Sequence, residues 1–147
     1  MKTTSFEQIV ISYSTVSYEL SRKLERIFLN NEVKRNSYFG WLKKSAILVE
    51  RAACENNGFE DVIAAFTLDE ILEMLPVIKK EDITYYPLIH RSVGNLYCAF
   101  YVDYHINRHL YIRPHWEKNN PAEAAGQLLV WCIENGYVKP EELNATI

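Results

Sequence analysis

The chain has 147 residues, 48% of them apolar and 24% charged, which is one domain's length and an ordinary globular composition. Sixteen Lys and Arg stand against 19 Asp and Glu, so the net charge of −3 lacks the basic excess of a non-specific nucleic-acid binder. No apolar run approaches a membrane span, and residues 1–14 hold no continuous apolar stretch of a secretory signal, so a cytoplasmic chain with no membrane partner is expected.

Phe6, Ile9, Val10, Tyr13, Val16, Leu20, Leu24, Ile27 and Phe28 recur every three or four residues. That spacing predicts an amphipathic helix of about 25 residues ending near Asn30-Asn31. Phe39, Leu42, Ala46, Val49 and Ala53 form a second stripe. They predict a second helix, capped by Ser37 and stopped by Asn56-Asn57-Gly58. Trp41, Ile47 and Leu48 fall off that stripe. Thr67 and Glu70 make a capping box ahead of Ile71, Leu72 and Leu75, and Pro76 ends this short helix.

From Ile83 the period becomes two. Residues 83–93 are β-branched and aromatic, and Gly94-Asn95 supplies a hairpin turn. In the next strand Leu96, Cys98, Phe100, Val102 and Tyr104 alternate with Tyr97, Ala99, Tyr101 and Asp103. A third strand is expected over His109–Trp116, with Pro87 and Pro114 marking edges. Asn120, Pro121 and Glu123 then start a helix through Ala124, Leu128, Trp131 and Cys132, which Gly136 closes in a left-handed conformation.

The expected fold is a single α+β domain over 1–147, ordered α-α-α-β-β-β-α. Its helical part is 1–58 and its helix–meander–helix part is 66–138. The last helix covers one face of a three-stranded antiparallel sheet. The three cysteines, Cys54, Cys98 and Cys132, have no short spacing and sit in apolar stretches, as reduced buried thiols do.

The segments FTLDEILEMLP, YYPLIHRSVGNLYCAFY and PAEAAGQLLVWCIENGYV resemble a group of small proteins of phages and prophages of Bacteroidetes type. The resemblance covers about residues 66–138. It implies a phage-derived cytoplasmic protein and carries no activity. The α-β-β-β-α order is also similar to the double-stranded-RNA-binding domain. That family places a Lys-rich motif where this chain has Glu117-Lys118-Asn119-Asn120-Pro121-Ala122-Glu123, so the resemblance does not extend to its phosphate grip. Antitoxins with a small sheet and a helix are a further topological likeness.

Chemistry-bearing constellations are sparse. His105 and His109 have helical metal spacing but fall in a turn, with His90, His115 and Asp103 nearby. Arg108 and His115 share a spacing found in some helical RNases, here on a strand and with no orienting partner. P-loop, GxGxxG, GxSxG and HExxH motifs are absent from the sequence. No catalytic residue, cofactor or metal is therefore expected. Two binding surfaces are. Six of the ten tyrosines fall within 83–116, and Tyr97, Tyr101 and Tyr111 with Arg113 can form an outward platform for stacking bases. Residues 1–58 carry nine basic and six acidic side chains, with Arg22, Arg26, Lys34, Arg35, Lys43 and Lys44 as a basic face. The expectation is a non-enzymatic accessory protein acting through protein–protein contact, with self-association suggested by the long N-terminal stripe. The alternative is a nucleic-acid-binding module using the sheet face or the Lys/Arg turn.

Overall fold

The computed structural model describes residues 15–50, 62–91, 94, 96–103 and 111–144, with residues 111–118 described through their backbone. Helix α1 (Tyr18–Asn30) leads to strands β1 (Phe39–Leu42), β2 (Leu48–Glu50) and β3 (Val62–Ala64). Helix α2 (Leu68–Met74) precedes β4 (Ile78–Lys80), β5 (Ile83–Arg91), β6 (Tyr97–Val102) and β7 (Tyr111–Lys118). Helix α3 (Pro121–Glu134) and a 3-10 turn (Pro140–Leu143) complete the order. The strands form two antiparallel sheets, β2-β1-β3 and β4-β5-β6-β7. The fold is α+β.

The expected 25-residue first helix is broken. Thr15 forms a β-bridge with Thr67, and the Val16 amide donates to the Phe66 carbonyl at 3.0 Å. Ser17 is extended and caps α1, its hydroxyl accepting from the Leu20 amide at 3.1 Å. Ser and Thr compete for backbone hydrogen bonds, so the run through Ser17 starts a helix rather than continuing one. Phe6, Ile9, Val10 and Tyr13 lie outside the described residues. Leu20, Leu24 and Phe28 carry the stripe into the core.

The second predicted helix is not formed. Its residues make the β1–β2 hairpin, with Gly40 opposite Val49 and Trp41 opposite Leu48. The off-stripe Trp41, Ile47 and Leu48 were the sign of it, being aromatic or apolar positions that a helix would leave without a common face. Ser37 caps no helix. Its hydroxyl lies 2.8 Å from the Ala65 carbonyl and 2.7 Å from Glu70 Oε1, and it accepts from the Phe39 amide. Ala53 and Asn56-Asn57-Gly58 lie outside the described residues.

The Thr67–Glu70 capping box of α2 is complete in both directions. The second sheet has four strands, not three. Strand β4 was missed because Glu81-Asp82, which turns it into β5, is no glycine turn. Both residues take left-handed φ, 54° and 64°, as a two-residue hairpin requires. Pro87 and Pro114 sit where pairing is relaxed. Pairing of β5 with β4 ends at Tyr85, and the β6–β7 register shifts around Pro114, with Ala99 opposite Trp116 but Tyr101 opposite Ile112.

Helix α3 packs on β5, β6 and β7 and also on α1 and α2. Its Ala122, Ala124, Ala125 and Gly126 are buried, so neighbours approach its backbone closely. A Cβ at Gly126 would lie 2.7 Å from Leu20 Cδ2 and 2.8 Å from Val16 Cγ1, which marks the α1–α3 crossing. Asn120 caps α3 through the Ala122 and Glu123 amides. Glu123 reaches across to the cap of α1. The Glu123 carboxylate accepts from the Ser17 amide at 2.7 Å and the Ser17 hydroxyl at 2.9 Å, while Asn120 Nδ2 donates to the Thr15 carbonyl at 2.7 Å. One hydrophobic cluster joins α1, α2, β6 and α3, with Leu24, Ile71, Tyr101, Leu128 and Leu129 fully buried in it.

Both long helices end in Schellman motifs. Tyr137 N–H donates to the Cys132 carbonyl at 2.9 Å with Gly136 at φ 75°, and Val33 N–H donates to the Phe28 carbonyl at 2.8 Å with Glu32 at φ 56°. Two predictions follow from the helix termini. Gly136→Ala lowers stability by about 1–2 kcal/mol, and Glu32→Gly raises it by up to about 1 kcal/mol, because a side chain is penalised in left-handed backbone. Glu123→Ala costs about 2–3 kcal/mol, since two partly buried charge-assisted hydrogen bonds are lost. Chemical denaturation with far-UV detection measures all three.

Candidate contact surface

The face of β6 that carries Tyr97, Ala99 and Tyr101 is the core side of the sheet. Tyr101 is 0% exposed and lies beneath α3, its ring 6.3 Å from that of Trp131. Its hydroxyl donates to the Pro76 carbonyl at 2.7 Å and accepts from the Cys132 thiol at 3.4 Å. The stacking platform expected at Tyr101 is therefore ruled out: the ring is already packed and its polar tip satisfied. Tyr97 shares that face but sits at its end, half-buried in a cavity beside β5. The side chains of Tyr111, Arg113 and His115 lie outside the described residues, as do Arg108, His105, His109 and Cys54.

Burial holds the Tyr101 phenol well above its ordinary range, with Cys132 beside it adding to the effect. Desolvation pushes the Cys132 thiol up to about 11, against the opposing pull of the Tyr101 hydrogen bond. Neither group has the character of a nucleophile at neutral pH. Cys98 is likewise buried and outside any disulfide. His90 is exposed, its ring edge-on to Phe100 at 5.5 Å. Among the described residues no group of three or more His, Cys, Asp or Glu could hold a metal ion, and no helix is long and apolar enough to cross a membrane.

The basic residues fare differently. A groove of about 360 Å³ runs between α1 and the small sheet. Phe28, Phe66 and Val62 give it an apolar floor, and Lys34, Arg35 and Lys43 stand along it. Tyr18 and Trp41 hold the β1–β2 hairpin against the start of α1. Tyr18 stacks edge-on against Trp41 at 6.0 Å, the Tyr18 hydroxyl donates to the Lys43 carbonyl at 2.7 Å, and Trp41 Nε1 donates to the Val16 carbonyl at 3.3 Å. The chain's path after α1 places Lys34, whose amide donates to Asn144 Oδ1 at 2.6 Å. Lys43 pairs with Glu25 at 3.5 Å, and Arg35 pairs with Glu73 at 3.0 Å.

Leu29 is the feature that sequence reading passed over. It is 68% exposed at the last turn of α1, and it lines both this groove and a neighbouring hollow that it shares with Val33 and Lys34. Its signal was its place outside the Leu20, Leu24, Phe28 spacing of four. Of the remaining basic candidates, Arg22 lies over the Tyr18 ring at 5.8 Å, Arg26 is exposed on α1, and Lys44 is exposed in the β1–β2 turn. The structure thus gathers Lys34, Arg35 and Lys43 and leaves the other three around them.

Comparison with known proteins gives no match to a family model, a curated protein or a solved structure.

The buried Tyr101–Cys132 pair sets a pH dependence. Both groups bind their protons more tightly in the folded chain than in the unfolded one. The stability this supplies is complete below about pH 9, the thiol's ordinary value, and is lost as pH rises toward 11. The urea midpoint is therefore expected to fall over that alkaline window, and less steeply in Cys132→Ala.

Proposed function

We propose that this chain is a non-enzymatic accessory protein of phage type that acts through contact with a protein partner, and that the contact is made at the α1 groove. The observation that carries the reading is Leu29, a large apolar side chain left exposed beside a groove with an apolar floor and a basic rim. An apolar centre with a charged margin is the anatomy of a protein-binding patch.

The magnitudes favour an apolar anchor with electrostatic steering. Covering a leucine contributes about 1.5–3 kcal/mol, whereas exposed ion pairs such as Arg35–Glu73 contribute about 0–1 kcal/mol and exchange partners at little cost. A partner segment with an aliphatic or aromatic residue flanked by Asp or Glu fits this surface. Its carboxylates can take the places that Glu73 and Glu25 hold on Arg35 and Lys43. The part of the N-terminal stripe that α1 carries is buried within the chain, so this stripe offers no apolar face for self-association.

Nucleic acid binding through the same rim is the second reading, favoured by the gathering of Lys34, Arg35 and Lys43. Phosphates can displace Glu73 and Glu25 as a partner's carboxylates can, but they leave the apolar Leu29 uncovered.

The deciding experiment places a photo-cross-linking benzoylphenylalanine at position 29 and irradiates the protein in nuclease-treated host lysate. A discrete protein adduct is expected, weakened by Lys34→Glu. If the wild type instead binds a labelled single-stranded oligonucleotide with steep salt dependence, and Lys34→Glu with Lys43→Glu abolishes this while no protein adduct forms, the protein-contact reading fails in favour of the second.

A further inference from the structure

The outer edge of β5 is a different surface, with no residue in common with the α1 groove. Its backbone orientation follows from the β4–β5 turn. Lys80 and Ile83 flank the two-residue Glu81-Asp82 turn and form a mutually hydrogen-bonded pair. Alternation then points the backbone groups of Ile83, Tyr85, Pro87 and Ile89 toward the β4 side. Those of Leu88 and His90 point toward β6, opposite Phe100 and Cys98. Strand β4 pairs no further than Tyr85. Beyond it, among the described residues, no strand meets the Ile89 N–H or the carbonyls of Pro87 and Ile89. Pro87, which has no N–H, occupies an edge-facing position, where that loss costs least.

This edge is not flat against solvent. A cavity of about 430 Å³ lies beside it, lined by Leu68 and Leu72 of α2 and Pro121 of α3 on one side and by Pro87 through Arg91 and Tyr97 on the other. Pro87, Ile89, Arg91 and Tyr97 share one face of the sheet while Leu88 and His90 belong to the other, so the cavity takes in the edge of β5 together with the end of its core face. Leu72 is 39% exposed. No carboxylate lines the cavity among the described residues, and His90 and Arg91 stand exposed at one end.

We propose that the outer edge of β5 is a strand-addition site for an extended, acidic and apolar segment of a partner polypeptide. Unpaired amide and carbonyl groups along a strand are met in full only by another extended chain. An apolar side chain of that segment enters between Leu72 and Ile89, and an acidic one lies by His90 and Arg91. The occupant is a linear segment rather than a second copy of this chain. In a symmetric pairing of two β5 edges, each strand would bring its own α2 into the space that the other α2 already fills.

The test pans a displayed random peptide library on the full chain and resynthesises the enriched peptides. The Ile89 amide is expected to exchange quickly in the unbound protein and about tenfold or more slowly at saturating peptide. Leu72→Arg, a surface change, is expected to weaken binding about tenfold with the melting temperature unchanged. N-methylation of alternate peptide amides abolishes binding in one register and spares it in the other. Leu29→Asp leaves all of this intact, which separates the site from the α1 groove. Four results overturn the proposal. They are an Ile89 amide already protected without peptide, protection that grows with protein concentration alone, saturating peptide that leaves Ile89 exchange unaltered, and a library that enriches nothing over Leu72→Arg.

Discussion

The Glu123 carboxylate on the start of α1 is the interaction on which the rest of the structure depends. It receives both the amide and the hydroxyl of Ser17, so one acidic side chain in the first turn of α3 fixes the cap of another helix. Asn120, the cap of α3, holds the Thr15 carbonyl two residues away. Thr15 and Val16 in turn bridge to Phe66 and Thr67 at the head of α2. Three helix beginnings therefore meet at one place. Negative charge there is favourable to the amide ends of helices, which is why an acid rather than an amide suits position 123.

Once the helix starts are tied, the rest of the core follows from what each helix can cover. Gly126 lets α1 cross α3 closely, and the alanines beside it let α3 lie close to its neighbours. That proximity is what buries Tyr101 and gives its hydroxyl two partners. The surface left over is defined by subtraction. Leu29 is left exposed at the end of α1, and Pro87 to His90 lie past the last residue that β4 pairs.

Much of this was legible from the chain alone. The capping residues Thr67, Glu70, Asn120 and Pro121 and the stop at Gly136 predicted α2 and α3, because caps are local chemistry. Strands β5, β6 and β7 were readable from their period of two, while the short β4 was not. Nor was the first half, because a four-residue strand and one turn of helix leave similar apolar spacings, and only the partner strand at Val62–Ala64 decides between them. The two faces of β6 could not be ranked from sequence either. Both alternate cleanly, and Cys98 and Val102 on one are nearly as buried as Ala99 and Tyr101 on the other. Of the surface residues, the basic cluster was visible as composition, while its meeting in one groove depended on a hairpin that the sequence read as a helix.

The Ser17–Glu123 bond joins residues 106 apart in sequence. Helix α1 leaves the ribosome well before α3, which holds the α1 cap through Glu123 and packs Gly126 against Val16 and Leu20. Thirteen residues are too few for a helix to persist in water unaided. Until α3 is made, α1 therefore lacks the carboxylate that fixes its cap and part of the surface that buries its apolar side chains. A truncation that removes α3 thus acts on α1, more than a hundred residues away in sequence, as well as on the sheet that α3 covers.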